Sequence, residues 1–241
     1  LEPLEEYRDS MGLSTNTTLI SFPSPFSKNN KKLYFVSDVT TKYAELARDP
    51  KIKDRLWYYI SKICNNFEQN TMVFFPSFNV LSMFKRNNDF SKIQRSIFLE
   101  EQKMPQSALI DLIDDFKSYG DNDGDGAALF SVMGGRISEG MDFPAEQLEI
   151  AVIVGIPYPK PTARQKGLQR YYDIKFRKGW EYTVEAPAAR KMLQSIGRLI
   201  RDEKDRGIAV VLDRRAARFK KYMRDLTLTD DLLEEMEHFF S

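Results

Sequence analysis

Short runs of consecutive apolar residues recur along the chain, separated by longer segments in which apolar residues return every three or four positions. The short runs are uniformly apolar rather than alternating, which predicts strands that are buried on both faces. The longer segments predict amphipathic helices. The predicted strands are 33–36, 72–75, 97–99, 127–132, 150–154 and 207–212. The predicted helices are 53–67, 79–85, 106–119, 162–178, 194–201, 215–224 and 230–239.

This alternation of buried strands and helices predicts an α/β fold with a doubly wound, mostly parallel sheet and helices on both faces. A chain of 241 residues, 42% hydrophobic and 29% charged, is long enough to bury such a core. We find no internal repeat and no low-complexity linker, so a single domain over residues 1–241 is predicted. Its C-terminal part, at about 226–241, is predicted to be an acidic helix, because residues 225–237 carry six acids and no base.

The segment Gln194–Arg201 has the most informative pattern. At roughly 100° per residue, a helix here places Gln194, Arg198 and Arg201 on one face and apolar side chains on the other. Planar, permanently charged guanidinium groups match the geometry of phosphate oxygens. Two of them on one face are typical of arginine fingers directed at the terminal phosphate of a nucleotide. An ordinary amphipathic helix with solvated arginines would show the same pattern.

Two further segments follow predicted strands, at the positions where open α/β sheets bind their ligands. Residues 134–143 contain three glycines, which allow close approach of the backbone, and the carboxylates Glu139 and Asp142. The other segment contains Ser77 and Asn79, whose side chains suit a helix start and a phosphate bound there. A flexible loop and a plain helix cap are the simpler explanations of these two segments.

A basic and aromatic segment covers residues 158–182, which carry seven Lys and Arg residues against two acids. Aromatic rings that stack on bases and cations that hold phosphates are the groups that single-strand binding requires. We therefore predict contact with single-stranded DNA in this segment, with Arg170 among the contacts. A helix that buries its aromatic face in the core is the alternative.

Composition excludes several classes of site. The net charge is only +1, so no general attraction to nucleic acid or membranes follows. One cysteine excludes, within this chain, a disulfide, a thiolate zinc site and a self-contained iron–sulfur cluster. The single histidine, His238, lies near the C-terminus beside two phenylalanines, which argues against a Ser-His-Asp triad. The acidic run 121–126 imitates a calcium loop, but Val132 stands where a bidentate glutamate is required, which predicts a surface turn. No metal-binding residues are therefore predicted.

The chain also lacks sequence signals for membranes and secretion, and two motifs that bind nucleotide phosphates and magnesium. No apolar run approaches the ~18 residues of a membrane-spanning helix and no signal peptide opens the chain, so we expect a soluble protein of the cytoplasm, nucleoid or nucleus. The first residue is Leu1 rather than methionine, which predicts a fragment. No Gly-Lys dipeptide and no Asp-Glu-Ala-His-like quartet occur, so the chain has no P-loop and no magnesium-binding box.

Taken together, residues 74–79, 134–143 and 194–201 resemble the fourth, fifth and sixth motifs of superfamily 2 helicases. Two short sequences are most similar to the XPD branch, the iron–sulfur DNA helicases of nucleotide excision repair: Glu-Gly-Met-Asp-Phe and Gln-Ser-Ile-Gly-Arg-Leu-Ile-Arg. The bacterial DinG relatives are a near second. The resemblance extends from Leu1 to about Tyr222. It implies a RecA-like second motor domain of an enzyme that uses ATP to unwind DNA in the 5′-to-3′ direction.

In that family a first motor domain supplies the P-loop, the magnesium-binding carboxylates and the iron–sulfur cluster. The resemblance therefore implies that ATP and magnesium are shared with a first domain and that any iron–sulfur cluster lies there. It also implies single-stranded DNA and repair-complex proteins as partners, no role for a membrane, and little activity for this chain alone.

The resemblance also assigns roles to residues by position. The catalytic residues at the phosphates would be Gln194, Arg198 and Arg201. The residues in contact with ATP would be Glu139, Gly140 and Asp142. The residues in contact with the DNA backbone would be Ser77, Asn79, Arg136 and Ser138.

Two alternatives to a motor domain stay open. One is a non-catalytic nucleic-acid-binding or protein-docking module with the same fold, and the other is a plain α/β scaffold with solvated arginines. The motor interpretation requires both arginines to project from the open edge of the sheet. Either guanidinium facing away from that edge, or held in internal ion pairs, would contradict it.

Overall fold

The computed structural model describes residues 3–22, 27–87, 90–121, 126–200 and 202–241. The strands are β1 Lys31–Phe35, β2 Thr71–Phe75, β3 Ser96–Leu99, β4 Ala127–Val132, β5 Ile150–Ile153, β6 Gly207–Val211 and β7 Leu226–Leu228. The described residues form a seven-stranded sheet in the order β3-β4-β2-β5-β6-β1-β7, and all neighbouring strands are parallel. The predicted α/β class with a parallel sheet is confirmed.

Helices cover both faces of this sheet, as predicted. The α-helices are α1 Leu4–Ser10, α2 Tyr43–Arg48, α3 Pro50–Asn66, α4 Phe78–Asn87, α5 Gln106–Asp121, α6 Arg136–Gly140, α7 Ala163–Phe176, α8 Ala186–Ile196 and α9 Leu232–Phe240. Because successive strand residues point to opposite faces, Phe74 packs in a core with α5, α6 and α8, whereas Phe75 packs in a second core with α2, α3, α4 and α9.

Helix α8 ends earlier than the pattern of apolar residues predicts. Ala188, Met192 and Ile196 repeat every fourth position and are buried, which fixes the inner face of the helix. Gly197 then caps the helix, and its N–H donates to the carbonyl of Leu193 over 2.8 Å. The next N–H, that of Arg198, donates only three residues back, to the carbonyl of Ser195 over 3.3 Å, so α-helical bonding stops and the helix predicted over 194–201 is wrong beyond Ile196.

The C-terminal part also differs from the prediction. The acidic helix predicted at about 226–241 begins only at Leu232, because residues 226–228 form β7 beside β1. The helix predicted at 215–224 is a shorter 3-10 turn, Arg214–Phe219. No helix of the described residues is both long and apolar enough to cross a membrane.

Candidate functional site

The glycine-rich turn after β4 lies at the carboxyl edge of the sheet. The N–H of Met133 donates to the carbonyl of Phe75 over 2.9 Å, which places the turn beside the segment that contains Ser77. Gly134 has a φ of +69°, a left-handed conformation that suits glycine, and a Cβ there would lie 3.1 Å from Cε of Lys191. The absent side chain therefore allows α8 to pack closely against this turn.

Ser138 caps the short helix α6 instead of facing solvent. Its hydroxyl accepts from the N–H of Gly135 and lies within hydrogen-bond distance of the Gly135 carbonyl, both at 3.0 Å, and the residue is fully buried. Ser138 therefore does what Glu or Gln does at the third helical position of a capping box, where the side chain accepts from the N–H of the capping residue. The side chain of Ser138 does not reach the surface in this arrangement, and its contact with DNA stays a prediction.

Arg198 joins the glycine-rich segment to the end of α8. Its Nε donates to the Ser138 carbonyl over 3.0 Å, and its Nη1 donates to the Met141 carbonyl over 2.5 Å. The same Nη1 lies 3.4 Å from Oδ1 of Asp142. The side chain of Arg198 is 10% exposed, whereas that of Asp142 is 76% exposed. Backbone oxygens therefore hold most of the guanidinium, and a long ion pair lies at the rim.

This geometry corrects the expected outward projection of Arg198. Because α8 ends at Ile196, Arg198 does not share a helical face with Gln194, and its guanidinium turns toward the 138–142 segment. The contact with Asp142 is an internal ion pair, the arrangement that was expected to contradict the motor interpretation, so the geometry of Arg198 by itself does not support a projecting finger. Gln194 itself is exposed. Arg201 lies outside the described residues, so its role stays a prediction.

The three residues predicted to contact ATP lie together on an exposed rim. Glu139 and Gly140 end helix α6, and Asp142 follows in an extended segment. All three are exposed. The bonds from Arg198 to the carbonyls on both sides of Glu139 fix this rim, so two carboxylates are presented to solvent by a restrained backbone.

The other residues predicted to bind DNA near this edge differ in solvent exposure and in the hydrogen bonds of their side chains. Ser77 is half-buried, and its hydroxyl accepts from the N–H of Val80 over 3.4 Å, as a plain helix cap does. Asn79 is exposed at the start of α4. Arg136 is exposed as well, and its Nη2 donates to the carbonyl of Met104 over 2.8 Å. Asn79 and Arg136 therefore present polar groups to solvent, and Ser77 stabilises the helix.

Helix α7, which carries Arg170, lies outside the core. None of its residues is fully buried. It packs on a π-helical turn, Glu181–Glu185, where Nε2 of Gln165 donates to the carbonyl of Thr183. Arg170 is exposed. The apolar side chains that α7 also exposes are Leu168 at 44%, Tyr171 at 51% and Ile174 at 76%.

Two charged residues at the carboxyl edge were not predicted from the sequence. Glu100 follows β3, is 3% exposed, and accepts from the hydroxyl of Ser131 over 2.6 Å. Burial raises the pKa of the Glu100 carboxyl, although Ser131 and the charge of Arg136 oppose the shift. Lys191 lies against Gly134. The position after a strand was a signal for Glu100, whereas no local signal marked Lys191.

A further buried carboxylate, Asp213, organises the loops that follow β1 and β6. It accepts from the N–H of Thr41 over 2.8 Å and from Nη2 of Arg215 over 2.7 Å. Burial alone would raise the pKa of Asp213, but Arg215 and the backbone donors outweigh it and hold the pKa below its usual range. This network joins the loops at the carboxyl ends of β1 and β6.

No metal centre is assembled in the described part of the chain. No group of three or more His, Cys, Asp and Glu side chains is placed there so that it could hold an ion. Most of the acidic run 121–126 lies outside the described residues, so the predicted surface turn stays a prediction.

Comparison with known proteins assigns the family. Residues 60–229 match the helicase C-terminal domain family. The chain is 33% identical over 224 residues to a probable ATP-dependent helicase of Methanocaldococcus jannaschii, which covers 84% of this chain and 32% of that protein. It is 28% identical over 204 residues to the ATP-dependent DNA helicase CHL1 of Scheffersomyces stipitis, which covers 77% and 24%. The chain thus spans about a quarter to a third of the length of these curated relatives.

A solved structure gives the same assignment. XPD in its apo form superposes with a TM-score of 0.65 at 26% identity, over 83% of this chain and 40% of that chain. The family match includes both the glycine-rich segment and the segment that contains Arg198. The chain therefore belongs to the helicase C-terminal domain family, as a RecA-like second motor domain of the XPD-like superfamily 2 type.

Proposed function

We propose that this chain is the C-terminal motor half of an ATP-dependent DNA helicase and that it works with a first motor domain. The observation that carries the proposal is the match of residues 60–229 to the helicase C-terminal domain family. Within this domain, Arg198 joins residues 138–142 to the end of α8. One arginine thereby fixes the rim that presents Glu139 and Asp142 relative to the helix that presents Gln194. Such a fixed set of polar groups suits the face of a nucleotide held by another domain.

The exposed rim is proposed to contact ATP, while the first domain holds the phosphates and the magnesium ion. The sequence of this chain contains neither a P-loop nor a magnesium-binding box. Magnesium neutralises phosphate charge during phosphoryl transfer. In this division of roles, Glu139 and Asp142 accept hydrogen bonds from nucleotide hydroxyls, and the amide of Gln194 bonds a phosphate oxygen.

Arg198 is proposed to act in two ways. Its bonds to the carbonyls of Ser138 and Met141 position the rim. Closure of the two domains then brings its positive charge near the terminal phosphate, where a cation stabilises the transition state. Arg201 is proposed, from the sequence pattern, as the second such cation.

Single-stranded DNA is proposed to cross the carboxyl edge and helix α7. Asn79 and Arg136 are exposed at that edge, and Arg170 is exposed on α7. Cations that neutralise phosphates supply most of the affinity of non-specific DNA binding. Alternating attachment of the two domains to the strand would then convert ATP hydrolysis into movement along it.

A second candidate function is a nucleic-acid-binding module that keeps the fold and supports no hydrolysis. The internal bonds of Arg198 favour this function, because a guanidinium already bonded to two carbonyls has less capacity to meet a phosphate. The two functions differ in one property. A motor binds DNA in a manner that changes with ATP, whereas a passive module does not.

Strand displacement separates these two functions. A protein with both motor domains is mixed with partial DNA duplexes that carry either a 5′ or a 3′ single-stranded tail. We expect displacement that requires hydrolysable ATP and that favours the 5′ tail, the direction implied by the sequence resemblance. A non-hydrolysable ATP analogue is the matched control. Tight DNA binding with no displacement, unchanged by ATP, would reject the motor and leave the passive module.

A role in nucleotide excision repair, together with repair-complex partners, is the narrowest part of the proposal. Its support is the similarity of the fifth and sixth motif segments to XPD sequences. A DinG-like helicase is the alternative within the same family. The name of the CHL1 relative supports DNA as the substrate class. Binding of this chain to purified repair-complex subunits, compared with its binding to unrelated DNA-binding proteins, tests the repair role.

A further inference from the structure

Helix α1 is attached to the rest of the domain mainly by polar contacts. None of its residues is fully buried. Residues 11–22, which follow it, form neither helix nor strand and are almost all exposed. No residue of α1 belongs to either hydrophobic core, so separation of this helix would leave both cores closed.

The first contact is a two-pronged ion pair with α8. Nη1 and Nη2 of Arg190 donate to Oε2 and Oε1 of Glu6 over 2.5 and 2.9 Å. The two side chains are only 23% and 13% exposed, so water screens the pair weakly. The ring centroid of Tyr7 lies 5.6 Å from the guanidinium carbon of Arg190 and adds a cation–π contact.

The second contact joins α1 to the turn that precedes α8. The hydroxyl of Tyr182 donates to Oδ2 of Asp9 over 2.8 Å, and Tyr182 is otherwise buried. Tyr182 belongs to the π-helical turn Glu181–Glu185, which leads directly into α8. π-Helical turns are rare and occur frequently at functional sites. We name Glu6, Asp9, Tyr182 and Arg190 the α1 clasp.

The α1 clasp therefore holds α8 at its start and at its middle. Arg190 lies one turn before Gln194, and the helix ends at Ile196, two residues before Arg198. A helix moves as a rigid rod over this length, so a small rotation at Arg190 moves the groups at its end. In the proposed function, these groups are the ones that meet the nucleotide.

We propose that Glu6 and Asp9 are positioning residues, which hold α8 through Arg190 and Tyr182. The position of α8 in turn places Gln194 and Arg198 where they can contact the nucleotide. This inference rests on the proposed function and adds to it a segment outside the helicase motifs. Neither carboxylate touches the nucleotide, and most contacts with ATP are proposed to come from the first domain and from the rim, so we expect the main effect of the clasp on turnover rather than on ATP affinity.

The first test uses the protein with both motor domains. In the double variant Glu6→Gln with Asp9→Asn, we expect kcat for ATP to fall about tenfold, within the range of coupled neighbours, and KM for ATP to stay unchanged. The swapped pair Glu6→Arg with Arg190→Glu restores most of kcat, whereas either single change does not. Lys85→Met, which breaks an exposed ion pair with Glu101, is the matched control. An unchanged kcat in the double variant would overturn the clasp.

Amide hydrogen exchange supplies a readout that does not depend on hydrolysis. In the double variant, the amides of residues 190–197 should exchange about tenfold faster, because α8 has lost two attachments. Slower turnover without faster exchange would also overturn the clasp. If the original protein hydrolyses no ATP, the proposed motor function fails, and the exchange rates still decide whether the clasp exists.

Discussion

Glu149 shows how burial can make a single side chain sensitive to pH. It precedes β5 and is half-buried. Burial, together with the charge of Glu146, raises the pKa of its carboxyl to about 7, although Arg206 opposes the shift. Its ordinary pKa is 4.5. Between these values the folded protein keeps a proton that the unfolded chain has lost, so the free energy of unfolding falls as the pH rises.

The variant Glu149→Gln removes this loss of stability. We expect it to be more stable than the original chain above pH 7, and equally stable near pH 4, where Glu149 is protonated in both the folded and the unfolded state. Urea unfolding across this pH range measures the difference. Glu203→Gln, at an exposed position, is the control. A stability difference that stays constant with pH would show that the burial of Glu149 does not govern its protonation.

For individual residues, the location of a side chain in the fold was easier to predict than its hydrogen-bond partners. Glu139 and Asp142 follow from the sequence, because a glycine-rich segment after a buried strand has to emerge at the carboxyl edge. The inward orientation of Arg198 and the burial of Ser138 do not. Arg198 bonds to residues 56 to 60 positions earlier in the chain, and the spacing of residues around it contains no information about such distant partners.

At the scale of elements, α7 offers a direct test of DNA contact. Its Arg170 and Tyr171 are exposed, with Tyr171 51% exposed. In a protein with both motor domains, Arg170→Ala should weaken binding to single-stranded DNA. It should also reduce the slope of log K against log salt by about 0.7, the value for one lost phosphate contact. Titration of a fluorescent oligonucleotide at several salt concentrations measures both quantities.

The control for that experiment lies on the other side of the sheet. Arg48→Ala removes an exposed arginine from α2, which packs in the core opposite to α6 and α8. It should leave both the affinity and the salt slope unchanged. Equal slopes for Arg170→Ala and the original protein would remove α7 from the proposed DNA path.

Elements with strong patterns were predicted well, and elements set by tertiary contacts were not. Six strands lie within about one or two residues of their predicted bounds, because uninterrupted apolar runs leave little freedom. β7 was missed, since three residues with one buried side chain give no pattern and its formation depends on β1. The end of α8 was placed too late, because the apolar residues beyond Gly197 continue the helical spacing although the backbone turns.

At the scale of the whole molecule, the sheet divides the domain into two cores with different roles. Helices α6 and α8, which carry the rim and Gln194, pack on one face. The helices on the other face complete the fold without contributing a predicted site residue, apart from α4. The order of the strands could not be predicted from local patterns, because it depends on pairings between distant segments. Apart from Asn79 on α4, the proposed site residues carried by helices therefore lie on the α6 and α8 side of the sheet or on α7.

ATP turnover in a protein with both motor domains, measured for Arg198→Ala and for Arg48→Ala, shows whether Arg198 takes part in hydrolysis. We expect Arg198→Ala to lower turnover by about 10³-fold, the effect of losing an arginine finger, and to leave DNA binding in place. Urea unfolding confirms that the variant is folded. The arginine on α2 should be dispensable. Turnover near the original rate in folded Arg198→Ala would exclude Arg198 from catalysis, because neither its charge nor its bonds to the rim would then affect hydrolysis.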